Sequence, residues 1–222
     1  MIAITDLTKT YGDTTALGGV SLEYGAGLHC LAGPNGSGKT TLLRAIAGLT
    51  RPTAGRVETP DSLGYAFQRP NVYPDLTVRE NLDVFQSLTD ADDEWRDSLV
   101  ERLRLAPERD RAANALSGGF RKKLDLALAL LKRPEVLLLD EPLADLDPAT
   151  RRRLVAVATE YADGERCVLV STHNLEAFSE QYDSLTVLVD GYVSVHQHQS
   201  DADAGPSTAY ERLLDGAGPS RK

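Results

Sequence analysis

Residues 33–40 read Gly-Pro-Asn-Gly-Ser-Gly-Lys-Thr, and this octet limits the fold more sharply than any other stretch of the chain. An apolar run, Leu28-His29-Cys30-Leu31-Ala32, leads into it, and a helical spacing of Leu42, Leu43, Ile46 and Ala47 follows, stopped at Gly48 with Pro52 beyond. The pattern predicts a buried strand, a glycine loop and the start of a helix. Glycines at these positions let successive backbone N–H groups converge on one concave point, and the helix N-terminus behind them favours an anion. Lys39 adds a point charge and the Thr40 hydroxyl a hard oxygen suited to Mg²⁺. Gly33, Pro34, Asn35, Gly36, Ser37, Gly38, Lys39, Thr40 and Thr41 are therefore the candidate cradle for a nucleotide's phosphates.

A second feature stands a hundred residues on. Val136-Leu137-Leu138-Leu139 is an apolar strand that ends in Asp140-Glu141. A buried parallel strand delivers its last residues to the carboxyl rim of the sheet, where α/β sites lie. Asp140 is placed to hold Mg²⁺, and Glu141 to polarise the water that attacks a terminal phosphate. Elsewhere, short β-like runs at Ile2–Ile4 and Val20–Leu22, punctuated by glycine turns, predict a small antiparallel sheet ahead of the glycine loop. A strand is expected near Leu63–Phe67 after the Pro52–Gly55 turn, and helices from Thr77 to about Arg104, opening on the capping-box match Thr77-Val78-Arg79-Glu80. Leu116–Leu131 reads as a further helix. Arg166–Ser171 reads as another parallel strand, and Thr186–Val195 as a hairpin split at Asp190-Gly191. The Arg151-Arg152-Arg153 run reads as a solvated helix face.

Leu116-Ser117-Gly118-Gly119-Phe120, twenty residues before the acidic strand end, resembles the signature of ATP-binding cassette ATPases, and the order of the other motifs is similar to that family from Met1 to about Gly191. The resemblance implies an α/β fold, a P-loop NTPase with a mostly parallel core sheet, an N-terminal antiparallel β-subdomain and an inserted α-helical subdomain at about 72–133. One ATPase domain would then occupy 1–199, with a partly disordered tail at 200–222 carrying a short helical piece near Tyr210–Leu214. It further implies that Tyr11 stacks on adenine, that Gln68 touches Mg²⁺ and the water, and that His173 contacts the γ-phosphate. Ala144-Asp145-Leu146-Asp147 is similar to the loop that crosses to a partner subunit. Ser117, Gly118 and Gly119 would face the phosphate loop of a second subunit, so that two ATP molecules are sandwiched between two cassettes in a homodimer or heterodimer. Phe120 departs from the Gln most often found there, and Ala144 from a common Ser; neither removes a catalytic group, so a competent site is expected.

Composition bounds the partners. A 41% hydrophobic share and 26% charged residues suit a packed globular chain, and a net charge of −9 disfavours broad nucleic-acid binding. The longest nearly apolar stretch, Leu124–Leu131, is interrupted by Asp125 and is far short of the roughly 18 residues a membrane span needs. The opening Met1–Asp6 turns polar at once, unlike a leader segment. Cys30 and Cys167 lack metal-ligand spacing and read as small buried residues. The segment Gln68–Leu82, with Tyr73-Pro74-Asp75-Leu76-Thr77-Val78-Arg79-Glu80-Asn81-Leu82, resembles the loop and helix that receive a membrane permease, in the wording of exporters whose permeases are separately encoded. The expectation is a cytoplasmic ATPase held on the inner face of the cell membrane through that permease. The alternative is a soluble cassette ATPase acting on nucleic acid, ribosomes or iron–sulfur assembly. Against it, 75 residues lie between Thr40 and Leu116, too few for the long coiled coil of DNA-repair members, and the chain is too short for two cassettes.

Overall fold

The computed structural model describes residues 1–162 and 164–201. Of the expected tail at 200–222, residues 202–222, with the helical piece, lie outside the described residues. The antiparallel sheet has the strand order β2-β1-β4, built from β1 (Ile2–Tyr11), β2 (Thr14–Tyr24) and β4 (Ala54–Glu58). Register pairs Ile2 with Tyr24, Ile4 with Leu22 and Leu7 with Val20, so these six side chains share the buried face. A register shift between Ile4 and Leu7 coincides with the positive φ of Asp6, at 48°; the bulge keeps Leu7 pointing inward after an odd step.

The second sheet runs β5-β6-β7-β3-β8-β9, from β5 (Leu63–Ala66), β6 (Val136–Asp140), β7 (Cys167–Ser171), β3 (Gly27–Ala32), β8 (Ser184–Val189) and β9 (Tyr192–His198). Every pairing is parallel except β8 with β9, the expected hairpin. Strands β6 and β7 are buried along their whole length, which is why they read as continuous apolar runs. The period of two still sorts their side chains. Val136, Leu138, Cys167 and Leu169 join the core beneath the antiparallel sheet and α1 (Lys39–Ile46). Leu137, Leu139, Val168 and Val170 join the opposite core with the remaining helices. Both cysteines are buried and free.

Between neighbouring strands β5 and β6 the chain inserts α2 (Val78–Ser87), α3 (Asp93–Arg102) and α4 (Gly118–Leu130). The capping box at α2 forms as expected: Glu80 N–H donates to Thr77 Oγ1 at 3.2 Å and Thr77 N–H to Glu80 Oε2 at 2.8 Å. Asn81, wholly buried, donates to the carbonyls of Tyr73, Leu76 and Thr77 and accepts from Tyr73 N–H. One amide thus satisfies the backbone of the 73–77 turn, which explains the Asn within the Thr-Val-Arg-Glu-Asn run. Asp125 is buried in α4, and burial pushes its carboxyl up to about 7 against the pull of two backbone N–H donors and Lys122.

Three expectations change. The Pro52–Gly55 turn continues into a strand, β4, pairing with β1; its residues are exposed or half-buried, so no alternation marks it. The helix expected from Leu116 starts at Gly118, because Ser117 takes the N-cap and accepts from Phe120 N–H at 3.2 Å. The Arg151–Arg153 run, on α5 (Pro148–Tyr161), is not wholly solvated: Arg151 donates to Leu146 O and Arg153 to Arg102 O. Arg151 and Arg153 are half-buried and only Arg152 is exposed, because the helix turns residues 151 and 153 toward neighbouring backbone.

Candidate nucleotide site

The site lies at the carboxyl rim of β3, β6 and β7, where adjacent parallel strands bring Gly33, Asp140 and His173 together across long sequence distances. The glycine loop needs two of its glycines for measurable reasons. A Cβ on Gly33, whose φ is 147°, would stand 2.2 Å from Leu188 O and 2.6 Å from Ser37 Oγ. On Gly38, with φ 102°, it would stand 2.6 Å from Ala16 O. Only glycine tolerates both the backbone shape and the approach. The loop is also held from outside: Gly191 N–H donates to Ser37 O at 3.1 Å and Gly18 N–H to Gly191 O at 3.0 Å. The β8–β9 turn thereby fastens the loop to β2.

Lys39 is buried, and its Nζ donates to Gly33 O at 2.8 Å and Pro34 O at 3.3 Å. It also stands 3.8 Å from Glu141 Oε1. The other carboxylate oxygen of Glu141 meets His173 Nδ1 at 2.8 Å. Glu141 is 8% exposed and adopts a positive φ of 47°, a strained shape for a residue with a side chain. Its backbone is pinned by Ser171, which accepts the Glu141 N–H through Oγ at 2.9 Å and through its carbonyl at 3.1 Å. Asp140 Oδ1 accepts from Thr40 Oγ1 at 3.2 Å and from Ser171 Oγ at 2.8 Å; Oδ2 accepts from Tyr65 OH at 3.2 Å. Burial and the Asp140 charge raise the Tyr65 phenol pKa, so the phenol remains a donor.

A cleft of about 350 Å³ opens above these groups, lined by Ala16, Asn35, Gly36, Ser37, Gly38, Lys39, Thr40, Thr41, Gln68 and Glu141. Its residues fit a magnesium nucleotide. The buried Ser37 Oγ has no hydrogen-bond partner among the described residues, a feature that a bound ligand would account for. Thr40 and Asp140 bring two hard oxygens together, and Mg²⁺ takes one or two protein oxygens plus phosphate oxygens.

The remaining expected residues are distributed as follows. Gln68 is exposed on the cleft wall. Tyr11 ends β1 with its ring 51% exposed and Lys9 Nζ 4.8 Å above it; it does not line the cleft. Asp147 caps α5, accepting from Ala149 N–H, Thr150 N–H and Thr150 Oγ1. Ser117, Gly118 and Gly119 do not line the phosphate cleft; Gly118 borders a separate groove of about 420 Å³ with Arg69, Arg121, Lys122, Ala144 and Asp145. Phe120 is not displayed at the helix tip. It packs on the core with Lys123 Nζ 3.4 Å from its ring centroid, so the departure from Gln is absorbed locally.

Three contributors escaped the sequence reading. Ser171 is marked only as a small hydroxyl closing an apolar strand, and Tyr65 only as an aromatic residue on β5. Lys122 reaches from α4 to Glu141 O and Ala144 O, both at 2.9 Å, and carries no spacing signal at all.

A family model for ABC transporters matches residues 17–144, more than half of the chain. The chain belongs to the ABC transporter ATP-binding subunits. The cassette is similar to a daunorubicin resistance ATP-binding protein, DrrA3, of Streptomyces coeruleorubidus (35% identical over 209 residues, 86% of this chain and 66% of that one). It is equally similar to an aliphatic sulfonates import ATP-binding protein, SsuB, of Granulibacter bethesdensis (36% over 202 residues, 89% and 83%). A Nod factor export ATP-binding protein I of Burkholderia lata (35% over 203 residues, 84% and 67%) and the sulfonates import relative thus stand at nearly the same identity. Among solved structures, an ATP-binding subunit of an ABC transporter superposes with TM-score 0.88 over 96% of this chain and 99% of that one, at 23% identity. The dimeric cassette MJ0796, a bacterial ABC transporter cassette, superposes with TM-score 0.79 over 89% and 98%, at 28% identity. The fold is that of P-loop NTPases, with a mixed core sheet and a helical subdomain, and the domain is an ATP-hydrolysing one that uses ATP and Mg²⁺. No helix among the described residues is long and apolar enough to cross a membrane.

Proposed function

We propose that this cassette is the motor subunit of an ABC exporter, dimerising around two ATP and acting on separately encoded membrane subunits. Residues 1–199 would work as one unit, at the inner face of the membrane through the permease. The observation that carries the reading is the placement of the Glu141 carboxylate, between Lys39 Nζ at 3.8 Å and His173 Nδ1 at 2.8 Å beside the Asp140–Thr40 pair. Lys39, Ser37 and the loop N–H groups bind and neutralise the phosphates. Glu141 accepts a proton from the attacking water as the bond to the γ-phosphorus forms and ADP departs with the bridging oxygen. His173 fixes the Glu141 carboxylate, and Gln68, which lines the same cleft, orients the water. When bound, Mg²⁺ supplies charge neutralisation on the phosphate oxygens, held by Thr40 and Asp140 with Gln68 alongside.

The geography of the chain supports the dimer, since Ser117–Gly119 do not line the phosphate cleft and Gly118 borders a different groove. The helix end they open suits the nucleotide of a second cassette, with Asp147 in the loop between the two and Tyr11 free to stack on a base. The dimeric MJ0796 cassette supports such an arrangement. The permease surface we assign is the Gln68–Leu82 segment, which Asn114 straps to the approach of α4 through Pro74 O and Asp75. Its wording and the relatives named for drug resistance and Nod factor export support the export direction.

The decisive experiment is Glu141→Gln with ATP and Mg²⁺ on a sizing column. Turnover is abolished and a nucleotide-bound dimer accumulates; undiminished ATPase activity overturns the assignment of Glu141. Co-purification of an integral membrane protein tests the transport role.

A further inference from the structure

Two ionisable side chains on one face of α4 are spent on backbone rather than on ligand or on each other. Lys122 and Asp125 lie three residues apart, so they point to the same side of the helix. Asp125 is 3% exposed; its Oδ2 accepts Phe67 N–H at 2.7 Å and its Oδ1 accepts Asn71 N–H at 2.9 Å. These two amides bracket the Gln68 turn. Lys122 Nζ donates to Glu141 O and Ala144 O, each at 2.9 Å, the two ends of the loop that follows the catalytic carboxylate. Burial pulls the Lys122 ammonium below its usual range, opposed by the charges of Asp145, Glu141, Asp125 and Asp140. An ionic residue is a costly way to fill a helix interface, since apolar packing does that without desolvation. What a charge does better is hold two backbone groups at a fixed distance, because charge-assisted hydrogen bonds are short and strong.

We propose that Lys122 and Asp125 tie the start of α4, which carries Ser117–Gly119, to the Gln68 turn and to the Glu141–Ala144 loop. They are positioning residues: they set Gln68 and Glu141 against the water of their own cleft and, through the same helix turn, the tip offered to the second cassette. The inference rests on the roles proposed above for Gln68, Glu141 and Ser117–Gly119. It adds that hydrolysis in one cleft and the grip on the other nucleotide share a mechanical element. Asp125 acts at one end of the Gln68 turn and at the other, so an isosteric amide cannot replace it: one of the two N–H donors would meet an NH₂ group.

The test uses the full chain carrying Asp125→Asn, Lys122→Met, Lys122→Arg and the double variant K122M/D125N. Amide hydrogen exchange at Phe67 and Asn71, measured without nucleotide, rises at least about tenfold in D125N. ATP turnover falls about tenfold or more in kcat, with KM for magnesium ATP within about twofold, because the phosphate loop is untouched. K122M falls similarly, and in an Glu141→Gln background it reduces the trapped dimer. K122R, whose guanidinium reaches both carbonyls, restores most of what K122M loses. The double variant falls no further than the worse single one, as expected of residues in one unit. D125N with wild-type exchange or wild-type kcat overturns the link. So does a K122R no better than K122M, which also decides the matter if D125N does not fold. Gln68→Ala and Glu141→Gln run alongside: if these keep full turnover, the underlying site assignment has failed, whereas loss in them and not in D125N or K122M sinks the link alone.

Discussion

Ser171 carries the sharpest stability prediction. Its hydroxyl is wholly buried, donates to Asp140 Oδ1 at 2.8 Å and accepts Glu141 N–H at 2.9 Å. In Ser171→Ala the carboxylate loses its shortest donor and keeps Thr40 and Tyr65, each at 3.2 Å. A hydrogen bond to a charged group contributes about 1.5–3 kcal/mol. Losing the acceptor for Glu141 N–H costs less, about 0.5 kcal/mol, because the Ser171 carbonyl still takes that proton at 3.1 Å. A single missing oxygen leaves too little room for a replacing water. The sum is about 2–3.5 kcal/mol, which for a chain of this size lowers Tm by about 4–14 °C. Calorimetry of the full chain at pH 7 reads it directly. Tyr65→Phe is the comparison: it removes the longer bond, to the other carboxylate oxygen, and is expected to cost about 1 kcal/mol. A Ser171→Ala melt within 2 °C or so of wild type, or a larger loss in Tyr65→Phe, would refute the reasoning.

Gly33→Ala combines a positive φ with a clash against Leu188 O; it should cost roughly 3 kcal/mol or more and abolish nucleotide binding. Gly36→Ala, at φ 83° and with no non-adjacent atom of the described residues within 4 Å of the added Cβ, should cost about 1 kcal/mol in the same melts and is the control for backbone strain alone. His29 gives a pH signature. Its ring is held between Ser184 Oγ and Gly25 O, with Asp183, His196 and His198 as the surrounding charges, and burial holds its pKa below the ordinary value. The unfolded chain therefore binds the proton more readily, so stability falls as pH drops through about 6.5. The Tm of His29→Gln should decline less steeply than wild type between about pH 7 and 5.5; parallel curves would remove His29 as a source of the slope.

What the sequence disclosed and what it withheld divide along a physical line. The glycine loop was legible because one contiguous octet needs glycine at fixed places for backbone reasons, and Asp140-Glu141 because a fully apolar strand ended on two charges. Those signals are local. Asp125 looked like a flaw in an apolar helix, since its partners, Phe67 and Asn71, are more than fifty residues away and are backbone groups of no particular side chain. Strand β4 was silent because an edge strand with one exposed face and a glycine pressed against Asp6 shows no alternation. Ser171 became visible only once β7 lay beside β6 with Asp140 opposite Ser171. The permutation of strand order, not the strands themselves, is what a reading along the chain does not deliver.

That permutation also sets the order in which the protein can be born. β3 is the first strand of the core sheet to leave the ribosome, yet both of its neighbours, β7 and β8, begin only at residues 167 and 184. At about 5–20 residues per second, the phosphate loop waits on the order of ten seconds or more with its supporting strand unpaired. Throughout that interval the nascent chain displays an apolar edge and half a binding site, a species suited to chaperones rather than to nucleotide. A chain that stops before β7 therefore leaves β3 without either of its sheet neighbours.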